Sequence, residues 1–269
     1  MAAKGSNPKK TIRRSSRKLN LQESELYVQQ FGDGPPLLWL HSEDYYELSL
    51  PLIETLAQKY RVIVPWMPGF TKSTLPDSIR TIDDMSYIYL DLMEKLKIEK
   101  ARVVGFSVGG WLANEIASKD SARIDRMALV CPVGVKIGGA YDRDIEDIYF
   151  HTFDRVRAMK FGNPKNDPRI QTELNDDEAM MLARAKEATA KLCWDPYFHN
   201  PTLKYRLNRV TPKTLFIWGA RDGIVETKYG LAYAKLLPKS DFVSIPGAGH
   251  FPHVEKPEAF DPVLTKFLR

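Results

Sequence analysis

Short apolar runs alternate with stretches of helical spacing, and this alternation constrains the fold more than any other feature of the chain. The runs lie at 37–40, 62–64, 102–105, 127–130, 214–218 and 241–245. Such runs of three to five residues fit strands covered on both faces, as in a parallel sheet. Between them, residues 46–59 repeat apolar side chains at helical spacing through Leu48, Leu52, Ile53 and Leu56. Ile82, Met85, Ile88, Tyr89, Leu92, Met93 and Leu96 trace one apolar helix face. Further helices are expected over 109–118, 227–236 and 257–268. The order strand, helix, strand, helix predicts an α/β fold with a mostly parallel central sheet and helices on both faces.

Two segments depart from this rhythm. Leu19, Leu21, Leu26, Val28 and Gln30 alternate around Glu23 and Ser24, which predicts a strand pair ahead of the parallel sheet. Residues 135–210 hold two helical stretches, 143–160 and 176–192, and no buried strand. They are expected as a helical cap inserted between two core segments, 19–134 and 211–269. The net charge of +5 belongs to the N-terminus: residues 1–18 carry seven basic side chains and no acid, so the rest stands at −2. That stretch is read as a disordered, solvated arm rather than a contact for nucleic acid or an anionic surface. No apolar run approaches the roughly 18 residues of a membrane span, and no signal-peptide core follows the charges. Cys131 and Cys193, the two cysteines, exclude a disulfide scaffold and suit a reducing, cytoplasmic setting.

The chemistry is carried by Gly105-Phe106-Ser107-Val108-Gly109-Gly110, which follows a buried strand and opens a helix. A serine on such a turn needs small neighbours two residues away on each side, and its hydroxyl then projects from the carboxyl end of the sheet. The helix that follows directs N–H groups and its positive end toward developing negative charge. A serine hydroxyl needs a base. Gly247-Ala248-Gly249-His250 follows the run 241–245 and supplies one. Gly219-Ala220-Arg221-Asp222 follows 214–218 and supplies the acid that orients an imidazole. The order Ser107, Asp222, His250 suits this architecture. His41 is expected to fix the loop after its strand, and His253 to lie at the surface or in packing. No G-x-G-x-x-G and no clustered metal ligands occur, so no cofactor and no metal are expected.

With Gly34-Pro35-Pro36 and Pro68-Gly69-Phe70, these motifs make residues 20–269 resemble an α/β-hydrolase-fold protein with a helical cap. The resemblance implies an oxyanion hole built from the backbone N–H of Val108 and of Glu43, with Ser42 as the alternate donor. Relatives usually carry His-Gly after the third strand, where this chain reads His41-Ser42-Glu43-Asp44. Ser42 can restrict that backbone. Two acids beside a developing oxyanion are unfavourable unless they point to solvent, and a lost donor costs roughly 10²–10³ in turnover. Trp66 stands where relatives often have Asp and is read as packing or pocket wall.

The expected reaction is acyl transfer from a small-molecule ester to water through an acyl-enzyme. Aromatic residues of the insert suggest an apolar pocket, with His41, Phe150, Trp194, Tyr197, Phe198 and His199 as candidate lining. The alternative chemistry is carbon–carbon hydrolysis of ring-cleavage dienoates. Epoxide hydrolysis and dehalogenation would require Asp in place of Ser107. A perhydrolase would share the three residues. A non-catalytic ligand-binding protein on the same fold is the reading from another class, and a homodimer is left open.

Overall fold

The computed structural model describes residues 11–22, 24–139 and 141–269. Lys4, Lys9, Lys10 and Glu23, used in the sequence reading, lie outside them. The chain opens with an antiparallel pair, β1 (Arg14–Asn20) and β2 (Glu25–Phe31), then β3 (Pro36–Leu40), α1 (Leu50–Ala57) and β4 (Arg61–Pro65). There follow α2 (Ile82–Lys95), β5 (Ala101–Phe106), α3 (Val108–Lys119) and β6 (Ile124–Val130). After a long excursion with α4 (Phe153–Lys160) and α5 (Asp176–Cys193), the sheet resumes with β7 (Lys213–Gly219). The chain closes with α6 (Thr227–Ala234), β8 (Ser240–Ile245), α7 (Pro252–Glu255) and α8 (Pro257–Phe267).

The eight strands form one sheet in the order β1-β2-β4-β3-β5-β6-β7-β8. β1 and β2 pair antiparallel, β2 runs antiparallel to β4, and the remaining neighbours are parallel. The winding reverses direction between β3 and β5. Such a switch point leaves a crevice at the carboxyl ends of the strands, where open α/β sheets place their ligands. Leu40 and Gly105 are register partners there, so the loops after β3 and β5 meet. Gly219 and Ile245 are partners at the ends of β7 and β8, which brings the Asp222 and His250 loops together.

Local signals explain the elements. β3 is buried through Leu37, Leu38, Trp39 and Leu40. α2 starts at a reciprocal cap in which the Asp84 N–H donates to Thr81 Oγ1 and the Thr81 N–H to Asp84 Oδ2, both 3.0 Å. α5 starts at the same device between Asn175 and Glu178. Two expectations need correction. The arm does not extend to residue 18: β1 begins at Arg14, because pairing with β2 satisfies its backbone although most of its side chains face solvent. The stretch 143–160 is helical only from Phe153; Asp144 draws the N–H groups of Ile137 and Gly138 onto its carboxylate and holds the preceding segment in a loop.

Candidate active site

Ser107 sits between β5 and α3 at φ 48°, ψ −114°, a backbone conformation that non-glycine residues rarely adopt and that costs on the order of 1–3 kcal/mol. The neighbouring glycines make the turn possible. A Cβ at Gly105 would lie 2.6 Å from the Gly109 carbonyl oxygen, and one at Gly109 would strike the carbonyls of Leu40 and His41. The turn exposes the hydroxyl toward His250, and Ser107 Oγ donates to His250 Nε2 at 2.9 Å. On the other ring nitrogen, His250 Nδ1 donates to Asp222 Oδ2 at 2.7 Å. Asp222 Oδ1 accepts the N–H groups of Ile224 and Val225 at 2.9 and 3.0 Å, which fixes the carboxylate. All three side chains are buried.

Burial by itself would depress the His250 pKa. The charge and hydrogen bond of Asp222 outweigh it, Glu43 adds to them and Lys160 opposes them, so the imidazole titrates above its ordinary range. His250 is also held by its backbone, whose N–H donates to the Lys160 carbonyl at 2.8 Å. Glu255 ties the same loop to the excursion, accepting from Gly249 N (2.7 Å), Gly162 N (2.9 Å), Asn163 N (2.9 Å) and Asn166 Nδ2 (3.1 Å). Cys131 Sγ lies behind the relay, and its ligand atom and those of Asp222 and His250 fall within 4.8 Å of one another. His250 Nδ1 is committed to the carboxylate, and burial pushes the thiol up, away from the thiolate a metal would need.

The loop after β3 decides between the two placements open to its acids. Glu43 and Asp44 are both buried rather than turned to solvent. The Val108 N–H, at the start of α3, donates to Glu43 Oε2 at 3.5 Å. The acidic side chain thus lies against the positive end of the helix, where a carboxylate is stabilised. Asp44 accepts from Lys160 Nζ and from Arg169 Nη1, both at 2.5 Å, and these charges hold its carboxyl well below the usual range against the opposing effect of burial. Ser42 Oγ donates to the Asp44 carbonyl. His41 fixes the loop as expected: its Nδ1 donates to the Ser42 carbonyl at 2.7 Å, and its Nε2 accepts the Met67 N–H at 2.9 Å.

The pocket candidates scatter. Phe150 and Trp194 are 76% and 58% exposed, and Phe198 is buried in the main core. Tyr197 braces a loop, its hydroxyl donating to the Glu146 carbonyl at 3.0 Å. His199 lines a separate cavity with Trp111 and Leu192. His41 lines another, of about 540 Å³, with Trp39, Tyr46 and Trp66. A cavity of about 290 Å³ beside Glu43 is lined instead by Tyr149, Phe153, Lys160, Arg169 and Lys186, among others. Sequence reasoning missed these because the ion pairs joining 157–169 to 44–47 span more than a hundred residues and leave no local pattern. His253 is a packing residue, with its ring 4.4 Å from Phe106 and its Nε2 3.2 Å from Ser49 Oγ.

The chain matches the sequence profile of the alpha/beta hydrolase fold over residues 31–257. It is 24% identical over 275 residues to the 2-hydroxy-6-oxo-6-phenylhexa-2,4-dienoate hydrolase of Burkholderia cepacia, with 92% of each chain covered. Its fold is similar to that of the hydrolase of the same name from Rhodococcus sp. strain RHA1 (TM-score 0.76, 20% identity, 96% of this chain and 100% of that one). It is similar as well to naproxen esterase from Bacillus subtilis (TM-score 0.76, 17% identity, 96% and 92% covered). A mostly parallel sheet, a strained serine turn after β5 and this profile agree: the chain belongs to the α/β-hydrolase-fold family.

Proposed function

We propose that the protein is a serine hydrolase that cleaves a carboxylic ester of an apolar or aromatic small molecule through an acyl-enzyme. The observation that carries this is the continuous relay from Ser107 Oγ through His250 to Asp222, with contacts of 2.9 and 2.7 Å. His250 takes the Ser107 proton as the hydroxyl attacks the carbonyl, and Asp222 stabilises the imidazolium. The N–H of Val108, with that of Glu43 or Ser42, receives the oxyanion. His250 then gives its proton to the leaving alcohol, and water repeats the sequence on the acyl-enzyme. General base action contributes about 10²–10⁴-fold. Residues 135–210 act as a cap that shields the acyl group from bulk water.

A fluorophosphonate probe tests the reading. Labelling of the wild type and not of Ser107→Ala supports it. A folded wild-type protein that takes no label supports a ligand-binding role without catalysis. The second reading, carbon–carbon hydrolysis of a dienoate, draws on the names of the relatives in Burkholderia and Rhodococcus. p-Nitrophenyl esters of graded chain length assayed beside a dienoate separate the two, and turnover of the dienoate alone overturns the ester assignment.

A further inference from the structure

Glu43 is buried at 8% exposure, and its carboxylate lies on the Val108 N–H that acyl transfer assigns to the substrate's carbonyl oxygen. Among the described residues no lysine, arginine or histidine lies within salt-bridge distance of it. Its neighbours are otherwise matched: Asp44 holds Lys160 and Arg169, Glu47 also holds Arg169, and Asp167 holds Arg157. Beyond these, the cavity that Glu43 lines holds His151, 3.2 Å from Glu146, and Lys186. Among the described residues Lys186 likewise has no carboxylate within salt-bridge distance, and its ammonium rests 4.6 Å over the Phe153 ring. A carbonyl oxygen that takes the Val108 N–H competes for it with the Glu43 carboxylate, which also lines this cavity.

We propose that Glu43 is a specificity-determining residue that selects esters by the charge they carry next to the reacting carbonyl, admitting neutral and ammonium-bearing acyl groups and turning away carboxylate-bearing ones. The proposal rests on the serine-hydrolase reading of Ser107. A charge interaction within a few ångströms is strong where water is largely excluded. A substrate ammonium takes up the displaced Glu43 carboxylate, whereas a substrate carboxylate meets a second anion.

Three ethyl esters of nearly equal size test this: ethyl propionate, glycine ethyl ester and monoethyl malonate. The readout is kcat/KM for wild type and Glu43→Gln, so that intrinsic ester reactivity cancels in the ratio. The substitution is expected to raise monoethyl malonate at least tenfold relative to ethyl propionate and to lower glycine ethyl ester relative to it. Glu43→Asp, which keeps the charge, is expected to retain the wild-type order. Changes equal within twofold for all three esters overturn the proposal while leaving the hydrolase reading intact. So does a charge preference that follows Lys186→Met instead of Glu43→Gln. If Ser107 takes the fluorophosphonate but none of the esters turns over, labelling by a neutral probe must be faster in Glu43→Gln, and an unchanged rate overturns the proposal. Absence of both labelling and turnover removes the hydrolase reading and this proposal with it.

Discussion

Ser107 holds a φ of 48° in a turn whose flanking Gly105 and Gly109 have no space for a Cβ. Gly109→Ala would press a methyl group against the backbone carbonyls of Leu40, the last residue of β3, and His41, the first after it. The expected cost is about 2 kcal/mol in urea unfolding, with Ser107 labelling slowed at least tenfold. Labelling at the wild-type rate would show that the turn tolerates side chains. The second expectation at this scale concerns pH. In the proposed mechanism His250 must be neutral to accept the Ser107 proton, and its pKa is raised. The acidic limb of kcat/KM therefore falls above the ordinary imidazole value of about 6.5. Asp222→Asn removes the main raising influence and leaves burial, so the limb moves to lower pH while kcat drops by about 10⁴. A limb that stays in place in this variant would assign it to another group. The serine, the histidine and the acid were legible because each sits in a turn directly after a strand, a local pattern. Glu43 was legible as an acid near the site, yet its direction was not, since the helix end that attracts it lies 65 residues away.

Between elements, charge pairs of very different worth join the excursion to the sheet. Asp44, Lys160 and Arg169 are bonded at 2.5 Å, with Asp44 and Lys160 buried. Asp44→Asn leaves the buried Lys160 ammonium without its partner and is expected to cost about 3–5 kcal/mol in chemical denaturation. Arg14 and Glu54 meet at the same distance on the surface, with side chains 58% and 34% exposed. Glu54→Gln is expected to change stability by less than about 1 kcal/mol. Equal effects of the two variants would mean that the loop between β3 and α1 is not anchored through Asp44. β1 illustrates the limit of reading elements from sequence. Arg14, Ser15, Ser16, Arg17 and Lys18 show no apolar alternation because the strand lies at the sheet edge with these side chains exposed. Basic residues suit such an edge, since they discourage pairing with another chain. The helix over 153–160 was overextended for the opposite reason: residues 143–152 carry helix-compatible spacing, but Asp144 and Asp147 bond to nearby backbone N–H groups instead.

Across the whole molecule, acid sensitivity follows from histidines buried neutral. Desolvation lowers His41 to about 4 and His253 to about 3. The unfolded chain takes up these protons below about 6.5, whereas the folded one does not. Their contribution is present above pH 6.5 and is lost as pH falls toward 4 and then 3. The slope is about 1.4 kcal/mol per pH unit for each group. His250 has the opposite sign: its contribution is complete below pH 6.5 and is lost as pH rises through its raised value, so it does not offset the acid loss. The urea midpoint should fall steadily from pH 6.5 to 4.5, and His253→Leu should cut that slope by about half. A flat profile would contradict neutral burial of both rings. No helix among the described residues is long and apolar enough to cross a membrane. From the sequence alone came the α/β class, the order of the parallel strands along the chain and the three turns that carry Ser107, Asp222 and His250, because strand burial and turn chemistry are short-range patterns. Only the tertiary structure decided which strands are neighbours, which residues line the cavity beside Glu43 and where the Glu43 carboxylate points. Those outcomes depend on charges and backbone groups that become adjacent through folding, across separations that no local pattern records.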